Sequence, residues 1–199
     1  MNENNTRLTL IQKLKEECNE NSWEEFIKLY QGYIFVILKK MSFNDEDCHD
    51  IMQATFLKVW KNVQKFDHGG ANGQFRKWLT LIAKNTALNH IRKNKRGVDL
   101  SSKAVIEEQE LYISGITSPE VEKIADDEWA VYISNVAWSN IKNDINDKLK
   151  SVFELIASGR KRSEISEILD IPLNTVSVYK RRVIEILQKE IVRLEKDYG

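Results

Sequence analysis

The chain has 199 residues, with 30 Lys and Arg against 30 Asp and Glu, 42% apolar residues, and only 8 Gly and 2 Pro. That apolar share at zero net charge excludes wholesale disorder, and the scarcity of Gly and Pro excludes the many tight turns of a sandwich or barrel. No apolar run approaches the roughly 20 residues that span a bilayer, the start Met1-Asn-Glu-Asn-Asn lacks a signal peptide's regions, and Cys18 and Cys48 make neither a disulfide framework nor a metal site. A cytoplasmic protein with two free thiols is expected.

Taken in chain order, the segments read as helices and connections. Trp23, Phe26, Ile27, Tyr30, Ile34, Ile37, Leu38 and Met41 recur at three and four, the stripe of an amphipathic helix. Asp45 to about Val63 predicts a second helix, with acids in its first turn and Met52, Phe56, Val59, Trp60 and Val63 as its apolar positions. The three glycines between Phe66 and Gln74 predict a loop. A third helix follows from about Phe75 to Lys93, burying Phe75, Trp78, Leu79, Ile82, Leu88 and Ile91.

From Gly97 to about Lys123 the periodicity fades and acids gather, which reads as a linker. A second helical region begins near Asp126, where Trp129, Ile133, Ala137, Ile141 and Ile145 step by four. Leu149, Val152, Phe153 and Ile156 continue the apolar pattern. The expected architecture is all-α, with two small helical domains at 1–96 and 124–199 joined by an acidic linker at 97–123.

The zero net charge conceals a segregation. Residues 1–55 carry −4, residues 56–98 carry +9, residues 99–150 carry −6 and residues 151–199 carry +1. Asp67 is the only acid within the +9 block. A solvated helix face usually interleaves both signs, so a block of one sign points to a polyanionic partner, nucleic acid first.

The clearest motif runs from Ser163 to Val183 and is patterned as a helix-turn-helix. Ser163 is expected to cap the first helix, with Ile165, Ile168 and Leu169 facing inward. Asp170-Ile171-Pro172 makes the turn, because Asp tolerates a left-handed backbone and Pro starts a helix. Val176, Val183 and Leu187 pack the second helix. Ser177, Lys180, Arg181 and Arg182 then point outward, where a major groove presents base edges and phosphates. Arg160, Lys161 and Arg162 precede the first helix, suited to backbone phosphates. An ordinary antiparallel helix pair with a basic exterior is the blander alternative.

The third helix offers a different surface. Arg76, Lys77, Lys84, Arg92, Lys93, Lys95 and Arg96 supply charge for phosphates. Asn85, Asn89 and His90 supply short hydrogen-bonding groups, and the loop before it brings Asp67, His68, Asn72 and Gln74. Such a surface suits either an unstacked base, whose pairing edge is available only once strands part, or the phosphates of a closed duplex. His49, His68 and His90 lie far apart without ligand-spaced neighbours, so no metal is expected. Nor does a nucleophile-and-base set or a phosphate-cradling loop appear, which argues against an enzyme.

The run from Asn44 to Trp60 and the run from Phe75 to Arg92 together resemble region two of sigma-70 family factors. The 163–184 motif is similar to region four, and the spacing resembles the extracytoplasmic-function (ECF) subgroup. The chain departs from the subgroup's common pattern at Ala54, at Asp170 in the turn, and at Ser177-Val178-Tyr179-Lys180 in the recognition helix.

The resemblance implies a non-enzymatic, cofactor-free initiation factor that binds bacterial core RNA polymerase, through the β′ clamp coiled coil and the β subunit, together with promoter DNA. It also implies an anti-sigma factor as a further partner. Asp47, Asp50, Ile51, Gln53, Phe56, Leu57 and Trp60 would then contact the clamp. Asp67, His68, Asn72, Gln74, Arg76, Lys77, Lys84, Asn85, Asn89, Arg92 and Lys93 would bind the melted minus-ten strand. Arg160, Lys161, Arg162, Thr175, Ser177, Lys180, Arg181 and Arg182 would bind the minus-thirty-five duplex. The alternative is a stand-alone helix-turn-helix regulator that binds duplex operators unaided.

Overall fold

The computed structural model describes residues 10–16, 20–66, 74–95 and 100–198. Among these residues the regular structure is entirely helical, in keeping with the all-α expectation. The helices are α1 (Leu10–Glu16), α2 (Glu20–Lys40), α3 (Asp45–Asn62), α4 (Gln74–Asn94), α5 (Leu100–Gly115), α6 (Ser118–Ile141), α7 (Asp147–Ala157), α8 (Arg162–Ile168) and α9 (Leu173–Tyr198). They fall into a first compact unit running to Tyr132 and a second spanning Ile133–Lys196.

In the first unit α2 is the central element, packed against α1, α3 and α4. Its stripe buries Phe26, Tyr30, Tyr33, Ile34, Ile37 and Leu38, met by Ile51 and Val59 from α3 and by Leu79, Ala83 and Ala87 from α4. Each large side chain removed from water contributes about 1.5–3 kcal/mol, so this stripe is the main source of the unit's cohesion. Phe26 sits among Tyr30, Phe56 and Phe75, with ring centroids 4.8–5.8 Å away. Asn44 caps α3 by accepting from the Asp47 N–H at 2.8 Å.

Within the expected linker, the described residues from Leu100 on are largely helical. Residues 100–115 form α5, residues from Ser118 begin α6, and the break between compact units comes after Tyr132. Ile113, Ile116, Val121, Ala125 and Trp129 are buried. Trp129 stacks on Tyr30 at 5.7 Å, and the Tyr33 hydroxyl donates to the Ala125 carbonyl at 2.9 Å while the Thr80 hydroxyl lies 3.2 Å from it. Burial pushes the Tyr33 phenol's pKa up. The weak periodicity of α5 has a physical reason: up to Tyr112 its described residues attach through charged pairs and bonds to backbone, whereas Val121, Ala125 and Trp129 give α6 a buried apolar stripe. Close approach also helps, because a Cβ on Gly32 of α2 would lie 2.8 Å from the Tyr132 ring.

The second unit is built from the last turns of α6 and from α7, α8 and α9. Val152, Ile165 and Val176 form its buried centre, with Leu155, Ile156, Leu169, Ile171 and Tyr179 packed around them. Trp138 and Phe153 meet at 4.3 Å. No helix among the described residues is long and apolar enough to cross a membrane.

Candidate nucleic-acid and partner interfaces

Three surfaces carry the residues singled out in the sequence. The first is an apolar groove of about 660 Å³ between α2 and α3, lined by Trp23, Ile27, Gln31, Met52, Gln53, Phe56, Leu57 and Trp60. Leu57 is 62% and Trp60 41% exposed, an unusual outlay of large apolar surface on a soluble helix. Trp23 props Trp60 edge-on at 5.0 Å, so the indole is held rather than loose. Gln53 and Asp50 are exposed beside it, and Phe56 forms the floor. The α2 side of this groove escaped the sequence reading, which treated Trp23 and Ile27 as core because their spacing matches the buried stripe.

Two residues expected on the same surface, Asp47 and Ile51, adjoin the groove through a neighbouring cavity of about 800 Å³ that Asp50, Gln53 and Leu57 also line. Ile51 is buried in the core. Asp47 is held on both oxygens, with Oδ1 2.7 Å from His90 Nε2 and Oδ2 accepting from Asn44 Nδ2 at 2.8 Å.

The second surface lies where α3 meets α4. A cavity of about 390 Å³ is lined by Lys58, Asn62, Lys65, Phe66, Trp78, Ile82 and Asn85. Phe66 and Trp78 lie 4.9 Å apart and give it an aromatic wall. Asn85 sits at the polar side of this cavity, with Asn89 and Lys93 farther along the same helix. Lys58, Asn62, Lys65 and Trp78 were not among the expected site residues. Their signal was present, since the +9 block begins on α3 and Trp78 precedes Asn85 by two helical turns. Gln74 is exposed at the start of α4, while Asp67, His68 and Asn72 lie outside the described residues, as does Cys18.

Several α4 cations are engaged within the unit. Lys84 is only 9% exposed and its ammonium donates to the Ile116 carbonyl. The Arg76 guanidinium lies over the Trp129 ring, 4.7 Å from its centroid. Arg92 meets Glu110 at 2.9 Å, Lys95 meets Glu107 at 3.2 Å, and Lys77 meets Glu122 at 2.9 Å. The hydrogen bond from Arg92 holds the Glu110 carboxyl below the usual glutamate range, and the bonds that Lys95 and Lys77 donate to Glu107 and Glu122 raise the two lysines. Lys93 is exposed on the other flank.

The third surface is the helix-turn-helix of α8 and α9. Asp170 adopts the left-handed backbone expected of it, with φ +47°. Ser166 donates to the Ile171 carbonyl at 2.6 Å and closes the turn. The Pro172 carbonyl accepts from the N–H groups of Thr175 and Val176, so Pro172 stands just before the first turn of α9.

Two expectations change here. Ser163 does not cap α8: the helix starts at Arg162, and the Glu164 carboxylate reaches back to the Lys161 N–H at 2.8 Å. Ile168 is 55% exposed, because α8 spans only two turns and Ile165 with Leu169 already fills the side that faces α9. Arg160, Lys161, Arg162, Lys180, Arg181 and Arg182 are exposed, and Thr175 is half-buried. Arg162 Nη1 donates to the half-buried Ser177 hydroxyl at 2.9 Å, joining the cluster before α8 to the recognition helix.

His49 is exposed, Cys48 is a buried free thiol, and no group of three or more potential metal ligands occurs among the described residues. The surfaces are suited to binding.

Comparison with known proteins places these surfaces in a family. The Sigma-70 region 2 family model matches residues 26–97, which covers the first two surfaces except Trp23. The model for bacterial regulatory proteins of the luxR family matches residues 147–189, the helix-turn-helix. The chain is 28% identical over 180 residues to ECF RNA polymerase sigma factor SigW of Bacillus subtilis, covering 90% of this chain and 94% of that one. It is 22% identical over 191 residues to the ECF RNA polymerase sigma-E factor of Haemophilus influenzae, covering 96% and 98%. ECF RNA polymerase sigma factor SigM of Bacillus subtilis is 23% identical over 96 residues, covering 48% and 55%. With the region-two groove and pocket in one unit, the helix-turn-helix in the other and relatives alike across both, the chain belongs to the ECF group of the sigma-70 family.

Proposed function

We propose that this sigma factor binds the coiled coil of the β′ clamp of bacterial core RNA polymerase through the α2–α3 groove. Leu57 and Trp60 would be the anchors, with Gln53 and Asp50 on the polar rim. The observation that carries this reading is the exposure of those two large apolar side chains, held in place by Trp23, within the segment that matches sigma-70 region 2. Interface energy concentrates in such aromatic and aliphatic anchors, and flanking acids steer encounter.

Promoter contacts follow from the other two surfaces. The cavity beside Trp78 and Asn85 has the size, the aromatic wall and the amide to hold an unstacked base of the minus-ten element. Arg160, Arg162, Ser177, Lys180, Arg181 and Arg182 would read the minus-thirty-five element as duplex. Two weak DNA contacts carried on one polymerase gain selectivity from effective concentration, so neither needs to be tight alone. An anti-sigma factor would silence the chain by covering the α2–α3 groove.

The luxR-family match keeps one alternative in view, a regulator that binds duplex operators without polymerase. One experiment separates the two. Mixed with core polymerase, the full chain should co-purify and direct initiation in vitro, and Leu57→Ala with Trp60→Ala should abolish both. Failure of the unaltered chain to associate, with tight duplex binding on its own, would establish the regulator instead.

A further inference from the structure

Part of the +9 block is covered, although Lys61, Lys65 and Lys93 stand exposed. Between residues 99 and 132 the chain carries nine acids against two lysines, and four of them, Glu107, Glu110, Glu122 and Asp126, face cations of α4. Arg92 faces Glu110, Lys95 faces Glu107 and Glu110, and Lys77 faces Glu122 with Asp126 at 4.0 Å. Lys77, Lys84, Arg92 and Lys95 follow one another at helical spacing along one flank of α4. Trp78, Asn85 and Asn89 lie on the adjacent stripe, which faces the cavities shared with α3. A strand lying along that open stripe brings its phosphates to the rim that the acids hold. At one end of the rim, Lys77, Trp78 and Glu122 line a common cavity of about 400 Å³.

We propose that α5 and the first half of α6 are an intramolecular stand-in for nucleic-acid phosphate, which closes the cationic flank of α4 until a strand displaces it. The proposal rests on the promoter-binding role given to α4 above.

Three features suit the segment to displacement. Its ion pairs with α4 are solvent-accessible, with side-chain exposures from 21% to 58%, and pairs of that kind are individually weak and screened by salt. The carboxylates offer the same charge-assisted acceptors that phosphates do. Val105, Leu111 and Tyr112 leave the outer face of α5 67%, 74% and 53% exposed, and fully buried Ile113 comes only in its last turn, so little apolar burial ties down the turns before it. Trp129 and Ala125, by contrast, are buried beside Tyr30 and Tyr33 and keep the middle of α6 attached. The movable part is therefore α5 up to Tyr112, while buried Ile113 and Ile116 and the bond from Lys84 to the Ile116 carbonyl hold the turn into α6. In the free chain this contact keeps the factor from stray polyanions.

The test uses the full chain and a fluorescein-labelled, mixed-sequence single strand of 20 nucleotides, followed by anisotropy across a salt series. Glu107→Gln/Glu110→Gln/Glu122→Gln removes the three acids that lie nearest the α4 cations and leaves Asp126, 4.0 Å from Lys77, in place. Glu24→Gln/Glu108→Gln/Asp127→Asn makes the same change in net charge away from those pairs. Freeing three cations should tighten binding about tenfold and steepen the single-strand salt slope by about 2, while the control triple stays within about threefold of the unaltered chain.

Hydrogen exchange supplies a measurement that does not depend on the variants. Amides of residues 100–112 should exchange faster when the oligonucleotide binds the unaltered chain. Equal gains in the two triples, no gain in either, or unchanged or slowed exchange of α5 would each overturn the proposal. Co-purification of the unaltered chain with core polymerase tells the two readings apart. If it succeeds and the triples behave alike, only this inference falls; if it fails and the contact triple alone gains, only the proposed function falls.

Discussion

Asp47 on α3 and His90 on α4 meet at 2.7 Å, and the second oxygen of Asp47 is held by Asn44 at the cap of α3. The helix proposed to grip polymerase is thereby joined to the helix proposed to hold the promoter strand. Asp47 on this view positions α3 and does not itself meet the clamp. Asp47→Asn should cost about 1 kcal/mol of stability, the scale of one hydrogen bond, and leave polymerase affinity within a fewfold of the unaltered chain. Chemical denaturation with a polymerase pull-down checks this; a loss of affinity as large as that of Leu57→Ala would return Asp47 to the interface.

Lys84 and Asn85 are neighbours with opposite predicted roles. Lys84→Met strands the Ile116 carbonyl and should lower stability by about 1–2 kcal/mol, with little selective effect on strand opening. Asn85→Ala touches an exposed amide and should leave the melting temperature unchanged while impairing open-complex formation more than closed-complex binding. Thermal unfolding beside permanganate footprinting decides between these outcomes; matching profiles for the two variants would refute the division of labour.

Gly32 permits the approach of Tyr132, whose hydroxyl also donates to the Leu29 carbonyl. Alanine at an exposed helix interior normally gains about 1 kcal/mol over glycine. At this position the added methyl meets the ring, so Gly32→Ala should instead destabilise the first unit, by roughly 1–3 kcal/mol as overpacking does. In a Tyr132→Ala background the same change should become stabilising. A double-mutant cycle with no sign reversal would show that the two residues do not compete for space.

The closure of α4 by α5 should depend on pH in a stated direction. Glu110 is depressed by its bonds to Arg92 and then Lys95, so its contribution is fully present above the ordinary glutamate pKa of about 4.3 and fades as pH falls through the lower folded value. Lys95 is raised by Glu107 and Glu110, so its share is present below the ordinary lysine pKa of about 10.4 and fades as pH rises through the higher folded value. Closure should therefore persist across the neutral range and loosen in acid. Carbon-detected NMR of the Glu110 carboxyl should show its midpoint rising in Arg92→Met, and an unmoved midpoint would remove Arg92 as the cause.

Arg162 and Ser177 join the basic cluster before α8 to the recognition helix. Ser177→Ala should leave the second unit folded but release the guanidinium. Discrimination at the minus-thirty-five element should then fall in a randomised-promoter library, as it should for Arg181→Ala. Unchanged preference in both variants would move base reading elsewhere on α9.

The sequence alone determined the all-helical class, the place of α2, the bounds of α3 and α4 to within a residue, and the left-handed turn at Asp170. It did so because these depend on local signals: apolar spacing, acids at helix starts and turn residues. It also located the blocks of charge. Only the tertiary structure decided where that charge goes. Residues 103–112 bury no apolar side chain fully, and composition cannot tell an acidic tether from an acidic cover whose partners, Lys77, Arg92 and Lys95, lie 12 to 45 residues away. For the same reason Trp60 could be read as apolar but not as exposed, and Lys84 as charged but not as buried. Burial and pairing depend on which helices meet, and that is set by packing between segments distant in the chain.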